Sequence, residues 1–426
     1  MHRIVAALLA ATSCVAVAQA QDISTADQQP VGAVFTLDQA IAAAGASAPS
    51  ADAAQSEVAA AQAVRTVAGL RPNPSVQIEV ENIVGSGPYE GFNQAETSVN
   101  FNVPIELGGK RSARIAVADA QTNRALLIAA ITQADTRLQV TQLYIEGIAA
   151  ERRAVAARDQ LRIARDALNA AKVRVQAGRA SPIEEQRADV NRLNALAGVE
   201  RAERLAGAAR INLERRVGRP VTGTLDVSAL DQVPIAAYGP LAATSIGTLA
   251  MAAADADLAI ADAGVRLAKS QRVPDLTVGP GIRRLEATND MAAIFSISLP
   301  IPLFNSGRAA VMQASAERTR AEARRRMTTL DVEEAITNAQ VEASNAATTA
   351  RTASGPALAA AQEAARIARI GYREGKFGQL DLLDAERTLA DTRLAAIDAL
   401  AAYQTAKARL ERLIAPAPAP TPQRGN

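Results

Sequence analysis

The sequence predicts a mainly α-helical protein with a small membrane-type β-sheet, in which one structural unit occurs twice. Motifs recur at an offset near 200 residues, and each half has two stretches in which apolar and polar residues alternate. A run of 77 residues, 105–181, contains no proline. Hydrophobic residues make up 49% of the chain and aromatic residues only 3%, which is typical of closely packed helices rich in small aliphatic side chains.

The first 20 residues have the features of a secretory signal peptide. Met1-His2-Arg3 supplies a positive start, residues 4–17 are mostly apolar, and Ala18-Gln19-Ala20 resembles a cleavage site. We therefore predict export with cleavage before Gln21. A buried N-terminal helix is the alternative.

Cleavage would remove the single His and the single Cys of the chain, His2 and Cys14. The exported protein would then have no disulfide, no Cys or His nucleophile and none of the usual transition-metal ligands. Lipid attachment at Cys14 is a second possibility, although Ala11-Thr12-Ser13 lacks the Leu that normally opens such a site.

Three pairs of motifs carry the duplication. They are Leu70-Arg71-Pro72-Asn73-Pro74 with Gln271-Arg272-Val273-Pro274-Asp275, Pro104-Ile105-Glu106-Leu107-Gly108-Gly109-Lys110-Arg111 with Pro300-Ile301-Pro302-Leu303-Phe304-Asn305-Ser306-Gly307-Arg308, and Gln176-Ala177-Gly178-Arg179 with Arg373-Glu374-Gly375-Lys376.

From this duplication we predict a first unit at 21–219, a connector at 220–240, a second unit at 241–414 and an Ala/Pro-rich tail at 415–426.

A pair of strands is expected in each unit, within 75–104 and within 275–300. In Val76-Gln77-Ile78-Glu79-Val80-Glu81 every second residue is apolar, so one face of the strand is apolar and the other polar. The expected length of roughly ten residues suits a strand that crosses a membrane at a tilt. A soluble sheet with one wet face is the competing interpretation.

Long helices should follow each strand pair. A helix from Gly109 to Ala177 would extend about 100 Å, which is too long for a compact globule and indicates a coiled coil or a helical tube. The second unit repeats it from Gly307 toward Gly375, with a break expected at Gly355-Pro356. Shorter helices return at 183–217 and 380–413.

Four membrane strands cannot form a closed sheet alone. Backbone groups at an open edge would be unpaired in lipid, and closed bacterial barrels begin at about eight strands. The chain must therefore share a barrel with copies of itself. Two copies would supply eight strands and three would supply twelve, and this argument does not choose between them.

Together these motifs resemble the TolC family of outer-membrane efflux proteins. The stretch 105–111 is similar to the CzcC-like branch, which serves heavy-metal efflux, and Asn305-Ser306-Gly307-Arg308 is common across the family. The resemblance implies a homotrimer with a shared 12-stranded β-barrel in outer-membrane lipid and a long α-helical coiled-coil barrel in the periplasm. It also implies two partners, a periplasmic adaptor (membrane fusion protein) and an inner-membrane resistance-nodulation-division pump.

The segment from Tyr372 to Ala385 resembles the periplasmic tip of the family. The resemblance assigns Asp381 and Asp384 to the periplasmic gate, and their spacing places both on one helix face. In a trimer, six carboxylates would then surround the axis and attract cations. Two exposed surface aspartates are the alternative.

The resemblance also implies a latch in which Tyr372 donates a hydrogen bond to Glu184. The family's latch arginine is replaced here by Phe377, so we expect the closed state to be held differently. Gly178 and Gly375 match the tips where the adaptor docks. The alternative is that both glycines only terminate helices, which the sequence does not distinguish from a docking role.

Composition limits the functional classes. The formal net charge of +2 argues against broad binding of nucleic acid, and the chain contains no GxxxxGK[ST] motif for nucleotides. We predict no catalytic cluster, cofactor or bound metal, and a passive conduit for divalent heavy-metal cations. A drug or organic-solute channel of the same family is the first alternative. A periplasmic coiled-coil adaptor or scaffold is an alternative of a different class.

Overall fold

The computed structural model describes residues 34–234 and 244–419. The predicted signal peptide, with Cys14, lies outside the described residues. So do the last residues of the predicted connector and most of the predicted tail.

Both units contain helix, strand pair, long helix and returning helix in the same order. The first unit has α1 (Leu37–Ser47), α2 (Pro49–Ala68), β1 (Ser75–Glu81), β2 (Glu96–Ile105), α3 (Lys110–Gln176) and α4 (Pro182–Val217). A short helix, α5 (Ser228–Asp231), follows in the connector. The second unit has α6 (Leu249–Ser270), β3 (Leu276–Leu285), β4 (Asp290–Ser298), α7 (Arg308–Thr352), α8 (Leu358–Arg373) and α9 (Gln379–Leu413). The predicted mainly helical class with a small sheet is confirmed.

The long helix of the first unit is continuous, whereas its counterpart is interrupted. Helix α3 has 67 residues and therefore extends about 100 Å, as the proline-free sequence predicts. Between α7 and α8, Gly355 leaves helical geometry at φ −99° and ψ −105°, and Pro356 lacks the amide hydrogen that a helical bond needs. The predicted break at Gly355-Pro356 is confirmed.

The four strands form one antiparallel sheet in the order β1-β2-β3-β4. The two units meet in the centre of this sheet, where β2 pairs with β3 and Val99 lies opposite Ile282. In the outer pairs, Ile78 lies opposite Val99 and Pro280 lies opposite Phe295. The register thus collects the alternate apolar residues of all four strands on one face. Strands β1 and β4 form its two edges.

A buried cluster near the middle of α3 ties the helices to the connector. Its largest fully buried side chains include Tyr144, Tyr403 and Phe35. The Tyr144 hydroxyl donates to the Phe35 carbonyl oxygen at 2.6 Å and accepts from the backbone N–H of Asp226 at 2.9 Å. Burial raises the pKa of Tyr144 to about 12, so the hydroxyl stays a protonated donor even in alkaline solution near pH 10. These bonds fix the chain entering α1 and the connector against α3.

Candidate functional site

One face of the sheet is a polar wall. Ser98 and Asn100 of β2 are buried on it, and Arg283 of β3 donates to Ser98 Oγ at 3.0 Å and to Glu96 Oε2 at 2.8 Å. Arg283 also lies 3.5 Å from Glu81 Oε2. A single strand therefore supplies a guanidinium that binds carboxylates from both strands of the first unit. Such a wall suits contact with water.

The opposite face is apolar and exposed. Val76 and Ile78 of β1 and Phe295 and Ile297 of β4 each expose more than 60% of their surface. An exposed apolar face on a sheet with free edges is a site of contact with lipid or with another protein.

None of the helices in the described part of the chain combines the length and apolar character that a membrane-spanning helix requires.

The other candidate site is the tip where two helical hairpins end side by side. The α3–α4 and α8–α9 turns contain Gly178 and Gly375, at φ +67° and +72°. A Cβ at either glycine would meet open space, so backbone conformation rather than crowding favours glycine here. The structure thus places both predicted docking glycines at the exposed end of a hairpin.

An arginine from the first hairpin holds the tyrosine of the second. The Arg174 guanidinium carbon lies 4.6 Å from the centroid of the Tyr372 ring, and Nη1 donates to the Tyr372 carbonyl oxygen at 3.5 Å. Burial raises the pKa of Tyr372; the nearby Arg174 charge opposes this shift, and the Glu184 charge adds to it. The Glu184 charge thus acts on Tyr372.

The remaining latch contacts differ from the expected hydrogen bond. Gln379 Nε2 donates to the backbone carbonyl of Glu184 at 2.9 Å. Among the described residues, Glu184 Oε2, Arg174 Nε and Gln379 Oε1 are buried without a hydrogen-bond partner. A Tyr372–Glu184 hydrogen bond therefore stays a prediction.

Phe377 contributes to the tip through packing. Its backbone N–H, together with that of Lys376, donates to the Gly371 carbonyl oxygen, at 3.2 and 2.8 Å. The Phe377 ring occupies the space that a Cβ at Gly371 would need. Phe377 thus packs the α8–α9 turn against Gly371, while Arg174 contacts Tyr372 from the other hairpin.

The two candidate gate aspartates have different surroundings. Both are exposed on the first turns of α9, and Asp381 Oδ2 accepts the Gly378 N–H at 2.9 Å, which caps the helix. Asp384 instead lines a groove of about 1060 Å³ between the hairpins. Seven arginines and three carboxylates line this groove, and the carboxylates are Asp166, Asp384 and Glu386. Arginines therefore outnumber carboxylates in the lining of this groove.

A half-buried ion pair joins the two helices of the second hairpin beside this groove. Glu386 of α9 is only 5% exposed, and Arg369 of α8 binds it through two hydrogen bonds, of which Nη2 to Oε2 measures 2.8 Å. The hydrogen bond to Glu386 raises the pKa of Arg369. The pair therefore links α8 to α9 close to the tip.

The described ranges hold no cluster of three or more His, Cys, Asp or Glu side chains arranged for an ion. Sequence reasoning missed Arg174, Gln379 and Arg283. Arg174 and Gln379 lie near the turn glycines of hairpins in different units, and this position was the sequence feature that could have identified them as tip contacts.

The chain matches the family described as outer membrane efflux protein over residues 40–219 and 247–415. It is 28% identical over 382 residues to the cobalt-zinc-cadmium resistance protein CzcC of Cupriavidus metallidurans, covering 89% of this chain and 90% of that one. It is 28% identical to the nickel-cobalt-cadmium resistance protein NccC of Alcaligenes xylosoxydans xylosoxydans, covering 74% and 70%.

Among solved structures, the chain resembles CusC with a TM-score of 0.72 over 91% of this chain and 94% of that one. At 18% sequence identity this likeness establishes the fold.

We expect Arg174→Gln to loosen the hairpin tip. Removing a partly exposed guanidinium from an aromatic ring costs ~0.5–1 kcal/mol, so amide exchange near Tyr372 and Glu184 should quicken several-fold. Hydrogen–deuterium exchange of the purified protein measures this. Arg179→Gln, an exposed change in the same turn, is the matched control. Equal exchange in both variants would show that Arg174 does not hold the tip.

Proposed function

Because the chain belongs to the outer membrane efflux protein family, we propose that it is the exit duct of a tripartite efflux system. The family match extends over most of both units, which confirms the family predicted from the sequence. The protein is an outer-membrane efflux channel. Within the proposal, the predicted signal peptide 1–20 directs its export, and the helical hairpins lie in the periplasm.

The proposed cargo is a divalent heavy-metal cation. The observation that carries this proposal is the similarity to CzcC across 89% of the chain, since that relative is named for resistance to cobalt, zinc and cadmium. A second relative is named for nickel, cobalt and cadmium. After cleavage at residue 20 the chain would lack His and Cys, so metals would pass without soft ligands that retain them.

The proposed assembly is a homotrimer. The exposed apolar face of the sheet suits lipid, and its two free edges need partners there. Three copies would close a 12-stranded barrel and bring the long helices together around one axis. The polar wall that carries Arg283 would then face the water-filled interior.

The proposal assigns the driving energy to partners. A periplasmic adaptor would dock at the tips that carry Gly178 and Gly375, and an inner-membrane resistance-nodulation-division pump would supply the energy. The duct itself would bind no cofactor and catalyse no reaction, in keeping with a family of efflux proteins.

Within this proposal Asp381 and Asp384 form an acidic ring at the periplasmic entrance, with the latch around Tyr372 and Glu184 holding it. Their exposure on the first turns of α9 supports the assignment. Since Asp381 also caps α9, its replacement by Ala would disturb the helix as well as the charge.

Replacing both aspartates by asparagine separates these effects, because Asn still accepts the Gly378 N–H. We expect Asp381→Asn with Asp384→Asn to weaken block of the channel by divalent cations about tenfold, equivalent to ~1.4 kcal/mol. Conductance of the purified protein in planar bilayers, with added Zn²⁺, measures it. Glu374→Gln removes an exposed carboxylate from the same tip and should change little. Unaltered block in the double variant would refute the acidic ring.

The cargo is tested in the bacterium. Deleting the gene should sensitise cells to zinc, cobalt, cadmium or nickel, and complementation should restore growth. Tolerance of detergents and hydrophobic drugs should be unchanged. Sensitivity to organic solutes alone would replace the metal proposal with the drug or organic-solute channel.

A further inference from the structure

The duplication inside the chain specifies how two copies should join. Pro72-Asn73 before β1 corresponds to Pro274-Asp275 before β3, and Pro104-Ile105 at the end of β2 corresponds to Pro300-Ile301 after β4. Matching the units on these motifs superposes β1 on β3 and β2 on β4. Apolar positions then coincide with apolar positions, as the two-residue period demands.

The pairing within each unit agrees with this superposition. Gln77 lies opposite Asn100 in the first unit, and their counterparts Gly279 and Ser296 lie opposite each other in the second. The two strand pairs therefore share one register.

The pairing that joins the two units, β2 with β3, has an equivalent that a single chain does not form. Within the chain, β2 pairs with β3, with Val99 opposite Ile282 and Val103 opposite Val278. The equivalent pairing would join β4 to β1, but these strands lie at opposite edges of the sheet. Only a second copy of the chain can complete it.

The residues after β4 show the effect of the missing neighbour. Ile105 and Leu107, beside β3 and its approach, are 40% and 38% exposed. Their counterparts Ile301 and Leu303 are 75% and 79% exposed. The same Pro-Ile-x-Leu motif thus exposes about twice the fraction of its side chains where no strand lies beside it.

We propose that β4 and the segment 299–301 pair with β1 of a second copy in the register of the internal β2–β3 pair. Phe295 then lies opposite the neighbour's Val80, Leu299 opposite its Val76 and Ser298 opposite its Gln77. Strand β4 gains three residues in the assembly. This inference rests on the proposed channel and adds its intersubunit register.

From Phe295 to Leu299, apolar residues lie opposite apolar ones and polar residues opposite polar ones, and Ile294 opposite Glu81 is the exception in the overlap of the two strands. Phe295, Leu299 and their partners lie on the apolar face, so they extend its lipid-facing surface across the subunit boundary. Ser298 and Ser296 meet Gln77 and Glu79 on the polar face. A shift by one residue would instead place apolar residues opposite polar ones.

Disulfide trapping in outer membranes tests the register, because the single natural cysteine lies in the predicted signal peptide. Gln77→Cys with Ser298→Cys should give covalent dimers and trimers on mild oxidation. Glu79→Cys with Ser296→Cys tests the same register independently. Thr277→Cys with Ser298→Cys, opposite each other within one chain, calibrates oxidation and should leave only monomers.

Gln77→Cys with Ser296→Cys is the mismatched control. These positions are two residues out of register, beyond normal disulfide reach, so cross-linking should be about tenfold weaker. The register would be overturned if oligomers survive on unheated detergent gels but the mismatched pair cross-links better, or neither pair cross-links. The proposed channel would stand in that case. Absence of any such oligomer would remove both the register and the proposed channel.

Discussion

The free edges of the four-stranded sheet are the constraint on which the rest of the structure depends. Strands β1 and β4 each present unpaired backbone groups, and the apolar face between them is exposed. In lipid such edges must be paired, since no water is available to satisfy them. In the proposed assembly, closure with further copies would remove the edges and bury the apolar face in the membrane. The same closure would gather the long helices around one axis.

Because one structural unit occurs twice in the chain, the same order of elements builds both halves of the sheet and both helical hairpins. Each unit delivers a strand pair followed by a helical hairpin, and the units meet along β2 and β3. At the far end the hairpins meet again, where Arg174 of the first contacts Tyr372 of the second. The contact at the tip is mostly polar and leaves several buried atoms unpaired, whereas the middle of α3 is tightly packed around Tyr144. The tip is therefore less tightly packed than the middle of α3.

Sequence patterns predicted the architecture well because they are local. The proline-free run predicted α3, and Gly355-Pro356 predicted the break after α7. The alternation of apolar and polar residues located all four strands to within a few residues. Strand ends were harder, because β2 begins at Glu96 where pairing with its neighbours sets the limit. The Arg174–Tyr372 contact joins residues 198 positions apart, so it depends on how the hairpins lie together. The family resemblance located Tyr372 and Glu184 but gave no sign of Arg174.

The mass of the assembly in detergent tests the central claim most directly. Native mass spectrometry of protein extracted from outer membranes should give three times the mass of the processed chain, with no stable single-chain species at equilibrium. A predominant single chain that remains folded without detergent would contradict the account, because the free edges would then need no partner.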